Sequence, residues 1–310
     1  MPAYFSFRNE CAEYYRSTGA SPFALNPGTT ILAGSLDNLV SRQLGKKITL
    51  GPEGSGKCSI YAGVPDYNDG SGGVGLSQVR VIAVLGLVLP NYDEPMYGDG
   101  NIVVSGQTPA GAWEVVAQQP LARSYIHTRQ KKINIFFVAP WGDVYENFNP
   151  ITYRQYRFDF WNTDDVLGPQ PVSFGGIWIG NAVEFSDGVD AQWISGAFDY
   201  GALSAARDGS AYASPGEVVR ELRVSCSKLE EADAIGVGRG LDDLNRENAA
   251  NWLTDASETL GTTGPCILIP RSASQTATRL GIYGHLTRPI EITHRAGPYY
   301  SCEIAVREER

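Results

Sequence analysis

Between residues 151 and 185 the chain alternates apolar and polar positions with a period of two, ITYRQYRFDFWNTDDVLGPQPVSFGGIWIGNAVEF. Arg154, Tyr156, Phe158 and Phe160 fall on one side, and Gln155, Arg157 and Asp159 on the other. That is the pattern of a strand half-buried in a sheet. A second arm places Ile177, Ile179, Val183 and Phe185 on one side. Asn162, Asp164, Gly168, Pro169 and Pro171 fill the space between with turn chemistry, so the two arms are expected to form an aromatic hairpin. Upstream, short apolar runs follow one another: ILAGSLDNLV, KKITL, CSIYAGV, NIVVSG, AWEVVAQ and INIFFVAP. Gly, Pro and Asn separate them, which predicts a jelly-roll-like β-sandwich over residues 30–186. VRVIAVLGLVL is apolar throughout and is expected to be buried on both faces. Residues 1–29 read either as an arm or linker lying on another element, or as a strand of the first domain.

From residue 187 the pattern changes, and a second domain is expected over 187–310. AQWISGAFDYG reads as a strand, with Trp193, Ser195, Ala197 and Asp199 alternating against Ile194, Phe198 and Tyr200. A polar stretch, ALSAARDGSAYASPG, follows as a long loop. GEVVRELRVSCSKL is a strand with Val218, Leu222, Val224 and Cys226 on one face. One helix is expected from Asp242 to Leu260, with Ala249, Trp252, Leu253, Ala256 and Leu260 as its apolar stripe and Gly261 as its stop. PCILIPR, GIYGHLT, PIEITH and YYSCEIAVREE return to strands. The fold class expected is mainly β: a sandwich followed by an α+β sandwich with one helix.

Composition narrows the function. The 310 residues are 43% hydrophobic and 19% charged, with 35 Gly, and the net charge is −9. That balance opposes a direct grip on nucleic-acid phosphates, which needs clustered Lys and Arg. Five cysteines, Cys11, Cys58, Cys226, Cys266 and Cys302, lie far apart with no CxxC pair, which fits assembly in a reducing cytoplasm. No signal peptide is readable at the N-terminus, and no apolar run reaches the roughly 20 residues that span a membrane. No membrane insertion is expected.

No motif in the chain carries catalytic chemistry. GPEGSGKC at 51–58 approaches a phosphate-binding loop, but Cys58 stands where a hydroxyl must hold Mg²⁺, and a β-branched, aromatic run follows where a helix is required. A Gly-rich turn between strands is the reading. Asp66, Asn68, Asp69 and Gly70 lack calcium-loop spacing, and Asp93, Glu94 and Asp99 read as a solvated turn. GVGRG at 236–240 is a flexible lead into the helix. His285 and His294 are placed across a hairpin, too few for a metal centre. No catalytic, cofactor or metal residue is assigned, and no enzymatic activity is expected.

Two runs of elements, taken in order, resemble the distal tail or minor tail-tip (baseplate) structural proteins of tailed bacteriophages. The first is VRVIAVLGLVLP followed by YRQYRFDF and GGIWIGNAVEF, similar to the family's galactose-binding-like jelly-roll module. The second is AQWISGAFDYG, SAYASPGEVVRELRV, the helix with Asn251–Trp252, PCILIPR, IYGHL and a terminal strand running into VREE. It resembles the family's ring-forming, tail-tube-like half. The likeness covers roughly residues 75–310. The chain departs from it at Asn181–Ala182, where basic residues are usual, and in an insert over 106–150. The resemblance implies a homo-oligomeric ring, commonly a hexamer, in the virion. Tube, hub and fibre proteins would be its partners, and DNA would be present only in transit. The stretch 202–216 is expected to reach a neighbouring subunit through Tyr200, Arg207 and Tyr212. The competing reading is a carbohydrate-binding β-sandwich for a host-surface glycan, since jelly rolls hold sugars by aromatic stacking.

Overall fold

The computed structural model describes residues 3–41, 43–63, 67–68, 74–75, 79–88, 99–108, 110–120, 133–138, 153, 155–164, 168–185, 192–205, 211–214, 218–235, 253–271 and 274–309. The chain is mainly antiparallel β with few helices. Its described strands form stacked layers.

The outermost layer is a six-stranded sheet. Its order is Trp113–Pro120, Asp99–Gln107, Gln155–Asp164, Lys57–Gly63 and Phe23–Leu25, with Gly168–Pro169 beside Gln155–Asp164. Beneath it lies a middle layer of two small sheets. One runs Ile133–Val138, Val81–Leu87, Gly176–Gly180; the other runs Val172–Phe174, Ile48–Gly51, Thr30–Ala33. A bridge between Val88 and Ser173 joins them, with the Val88 N–H donating to the Ser173 carbonyl at 2.7 Å. The inner faces of these two layers interdigitate. Ile60, Phe158, Phe160, Ile102 and Val104 from one meet Ile82, Val84, Phe137, Ile177 and Phe174 from the other.

The third layer is an eight-stranded sheet. Val183–Phe185, Ala3–Ser6, Pro265–Ile269, Ile282–Leu286, Tyr299–Glu308, Val218–Glu230 and Gln192–Asp199 follow in that order, and Glu291–Ala296 pairs with Tyr299–Glu308. The middle layer packs against one face of this sheet through Val81, Ala83, Leu85 and Trp178, which meet Tyr4, Ile267, Ile269 and Tyr283. The other face carries Phe5, Val224, Leu268, Ile282 and Val306 and is covered by helices Glu231–Ile235 and Leu253–Leu260. Every residue of Val81–Leu87 is buried because its side chains divide between two cores, Val81, Ala83 and Leu85 entering one and Ile82, Val84 and Leu87 the other. The all-apolar run anticipates this, since neither face of the strand meets water.

Several expectations are corrected. The two arms of 151–185 are not a hairpin. Gln155–Asp164 pairs with Lys57–Gly63 and Asp99–Gln107, whereas Gly176–Gly180 pairs with Val81–Leu87. The arms lie in facing layers, with the Phe160 and Phe174 rings stacked at 4.9 Å. Two apolar faces gain more by meeting across a core than their strands would gain edge to edge. The second arm also changes sheet at Asn181–Ala182, so Ile177 and Ile179 enter one core and Val183 and Phe185 another. The insert 106–150 contributes Trp113–Pro120 and Ile133–Val138 to two sheets.

The single helix becomes several. Glu10–Thr18 is capped by Asn9, whose side chain accepts from the Cys11 N–H, and ends at Gly19 with φ +69°. Ser274–Leu280 rests on Ile133–Val138, where the Phe136 N–H donates to Thr278 Oγ1 at 3.2 Å. The expected helix 242–260 is seen as Leu253–Leu260, with Leu253, Ala256 and Leu260 buried as its stripe required; 242–252 lies outside the described residues. Residues 1–29 supply the strand Ala3–Ser6, the first helix and the strand Phe23–Leu25.

Candidate interaction edge

Among the described residues, the eight-stranded sheet ends in a strand with one bare edge. All eight residues of Gln192–Asp199 are exposed, on both faces. One long edge pairs with Val218–Glu230, from Gln192 opposite Ser225 to Asp199 opposite Val218. Among the described residues no strand occupies the other edge. Ile194 is 67% exposed, Tyr200 57%, and Trp193 and Phe198 about a third. Large apolar side chains on a bare edge are unusual in a monomer, because such an edge offers unpaired N–H and C=O groups to any passing strand.

The edge is held in shape by charge. The Phe198 and Tyr200 rings meet edge to face at 4.9 Å, and the Arg307 guanidinium lies 3.9 Å from the Phe198 ring centre. Arg307 reaches Glu221 at 3.1 Å, and Arg223 reaches the same carboxylate at 2.7 Å. Burial opposes the charged form of Glu221, but the two arginines outweigh it and hold the carboxyl below its usual range. Beside the edge, Tyr200, His285, Arg307 and Glu309 line an open depression of about 520 Å³. His285 Nε2 meets Glu309 at 2.8 Å, a hydrogen bond that raises the imidazole above its ordinary pKa although burial opposes it.

The residues expected to reach a neighbour fare unequally. Tyr200 follows the end of the bare strand and is exposed. Tyr212 lies on Ala211–Ser214, in register with Ser204 of Ala202–Ala205. Arg207 lies outside the described residues. The described residues of 202–216 thus form a ladder of their own, Ala202–Ala205 against Ala211–Ser214, where a loop was expected. Its small residues, ALSA opposite AYAS, conceal the pairing because the alternation of size and polarity is faint.

Neither a family model nor a curated protein matches the sequence. Among solved structures, a carbohydrate-binding module of type CBM28, specific for non-crystalline cellulose, matches over 52% of this chain and 87% of its own, at 11% identity and a TM-score of 0.33. A likeness of that size carries no argument.

Other candidates resolve into structure. Lys57, at the close of the Gly-rich turn, points to Asp159 and Glu53 at 3.4 and 3.7 Å, and the turn connects two β-layers. His294 lies opposite Tyr300 and bonds the Gly297 carbonyl, so the two histidines do not face each other. Asp66, Asp69, Asp93 and Glu94 lie outside the described residues, as does 236–240. Among the described residues no three His, Cys, Asp or Glu side chains gather as metal ligands. No described helix is long and apolar enough to cross a membrane.

Proposed function

We propose that the chain is a non-enzymatic structural subunit of a bacteriophage tail tip, a distal-tail or baseplate ring that joins the tail tube to the hub or fibres. The bare strand Gln192–Asp199, with Trp193, Ile194, Phe198 and Tyr200, is the observation that carries this reading. A strand of this kind completes itself by pairing with another chain. When the donor edge and the acceptor surface are different parts of the same molecule, the contact is head-to-tail, and repetition gives a ring where the rotation between copies closes and a filament where it does not. Six copies, an open channel for DNA in transit and a place in the virion complete the proposal. The acidic balance of −9 supports a channel wall that does not hold DNA.

Light scattering and negative-stain microscopy of the full chain test it. Closed rings are expected for the parent, and monomers of unchanged circular dichroism for Ile194→Lys. A parent chain that is monomeric at every concentration overturns the reading.

A further inference from the structure

The outer face of the six-stranded sheet carries a second unusual group of side chains, remote in sequence from the bare edge. Register places Tyr61 opposite Arg157, Ser59 opposite Asp159 and Lys57 opposite Trp161, all pointing away from the core. Trp113, on the edge strand, leans across the same face. Its ring lies 5.6 Å from that of Tyr61, tilted by 45°, and 5.1 Å from the Arg157 guanidinium. Arg157 Nε donates to Asp159 at 3.0 Å, and Lys57 bridges Asp159 and Glu53. Glu53 accepts from Asn26 at 2.8 Å, and Asn26 accepts from the Tyr61 hydroxyl at 2.7 Å. The contacts close into a circuit: Tyr61, Asn26, Glu53, Lys57, Asp159, Arg157, Trp113 and back to Tyr61.

Three properties of this circuit select a ligand. Its charges cancel, with Lys57 and Arg157 against Glu53 and Asp159, so neither a phosphate nor a polyanion is favoured. It sets aromatic carbon beside fixed, ionised donors and acceptors, which disfavours an apolar peptide but suits a molecule with C–H faces and a rim of hydroxyls. It is also pre-organised. Asp159 is only 4% exposed and is held by two cations, so little side-chain freedom remains to be lost on binding. A second aromatic, Trp161, with Lys57 5.9 Å from its ring centre, lies four residues beyond Arg157, about 13 Å along the strand at ~3.3 Å per residue. Aromatic surface thus brackets the charged centre at both ends.

From this arrangement we infer that the outer face is a binding site for a neutral pyranose oligosaccharide. Trp113 and Tyr61 supply the stacking surface at one end and Trp161 at the other. Arg157 and Lys57 bond the hydroxyls between them, and Asp159 beneath holds both cations in place. The site is separate from the bare edge and stands whether or not the chain forms rings.

Titration of the full chain with cellopentaose, a β-linked galactose pentasaccharide, mannopentaose and, as the charged comparison, an oligouronate tests it by calorimetry and tryptophan fluorescence. Saturable binding of at least one neutral sugar is expected. Trp113→Ala and Arg157→Gln are each expected to weaken it about tenfold or more. Ile194→Lys is expected to leave it unchanged, which separates this result from the oligomeric state. Absence of saturable binding to every neutral sugar overturns the assignment. So does binding that Trp113→Ala and Arg157→Gln both leave intact while circular dichroism shows both variants folded, or binding of the oligouronate alone.

Discussion

Ser6 Oγ donates to the carbonyl of Asn181 at 2.6 Å across 175 positions of sequence, and it accepts the Trp178 indole N–H at 2.9 Å. Ser6 and Trp178 are both buried. The hydroxyl therefore satisfies a carbonyl at the point where the chain leaves the middle layer and an indole in the seam between layers. Ser6→Ala removes this bond from each of them, and a buried polar group that loses its bond costs about 1–3 kcal/mol. Urea unfolding should show a lower midpoint at unchanged slope. A midpoint equal to the parent would mean that the two groups find other partners.

Gly180 stands at the same crossing. A Cβ there would run into the Arg8 carbonyl and crowd Ser6 Oγ and the Trp178 nitrogen. Gly180→Ala is expected to cost about 1–3 kcal/mol as the backbone shifts to make room. Gly196, on the bare strand, has open space at its Cβ position. Gly196→Ala should therefore leave the denaturation midpoint near that of the parent, and equal losses at the two sites would contradict this account.

His285 gives the fold a pH-dependent increment. Its bond to Glu309 raises the imidazole pKa in the folded state. The increment is fully present below the ordinary histidine value of about 6.5 and is lost as the pH rises through the higher folded value. Thermal melts should show the parent ahead of His285→Gln in acid, with the gap narrowing as the pH climbs. A constant gap would rule out the protonated pair.

All five cysteines are buried thiols. Burial pushes Cys58 up to about 11 and Cys302 up to about 12, and pushes Cys11 and Cys266 up as well. Since the thiolate is the reactive form, a chromogenic disulfide reagent should find almost none in the native protein and five in denaturant. Rapid native labelling would mean that the sheets open locally.

Much of the strand content is legible in the sequence because it is written in side-chain alternation. Tyr156, Phe158 and Phe160, or Cys302, Ile304 and Val306, leave one reading of which face is buried. Partnership is less legible. Nothing in GGIWIG reports that Val81–Leu87 will be its neighbour, because a buried strand matches many partners equally well. Glu10–Thr18 escapes for another reason: it has no apolar stripe, two adjacent tyrosines mask it, and only Asn9 and Gly19 mark its ends. At the bare edge, the alternation of Trp193 to Tyr200 predicts a strand, but exposure on both faces depends on where the sheet stops. The circuit around Arg157 and Trp113 was hidden because its members come from four separate stretches of chain that only the sheet register brings together.

The run Val81–Leu87 gives Val81, Ala83 and Leu85 to one core and Ile82, Val84 and Leu87 to the other. A wall shared between two rooms cannot be taken down for one tenant alone. Cutting the chain to isolate the sandwich or the large sheet would strip an entire hydrophobic surface from this strand or its neighbours. Melting is therefore expected as one concerted event, with loosening at either end of the molecule felt at the other.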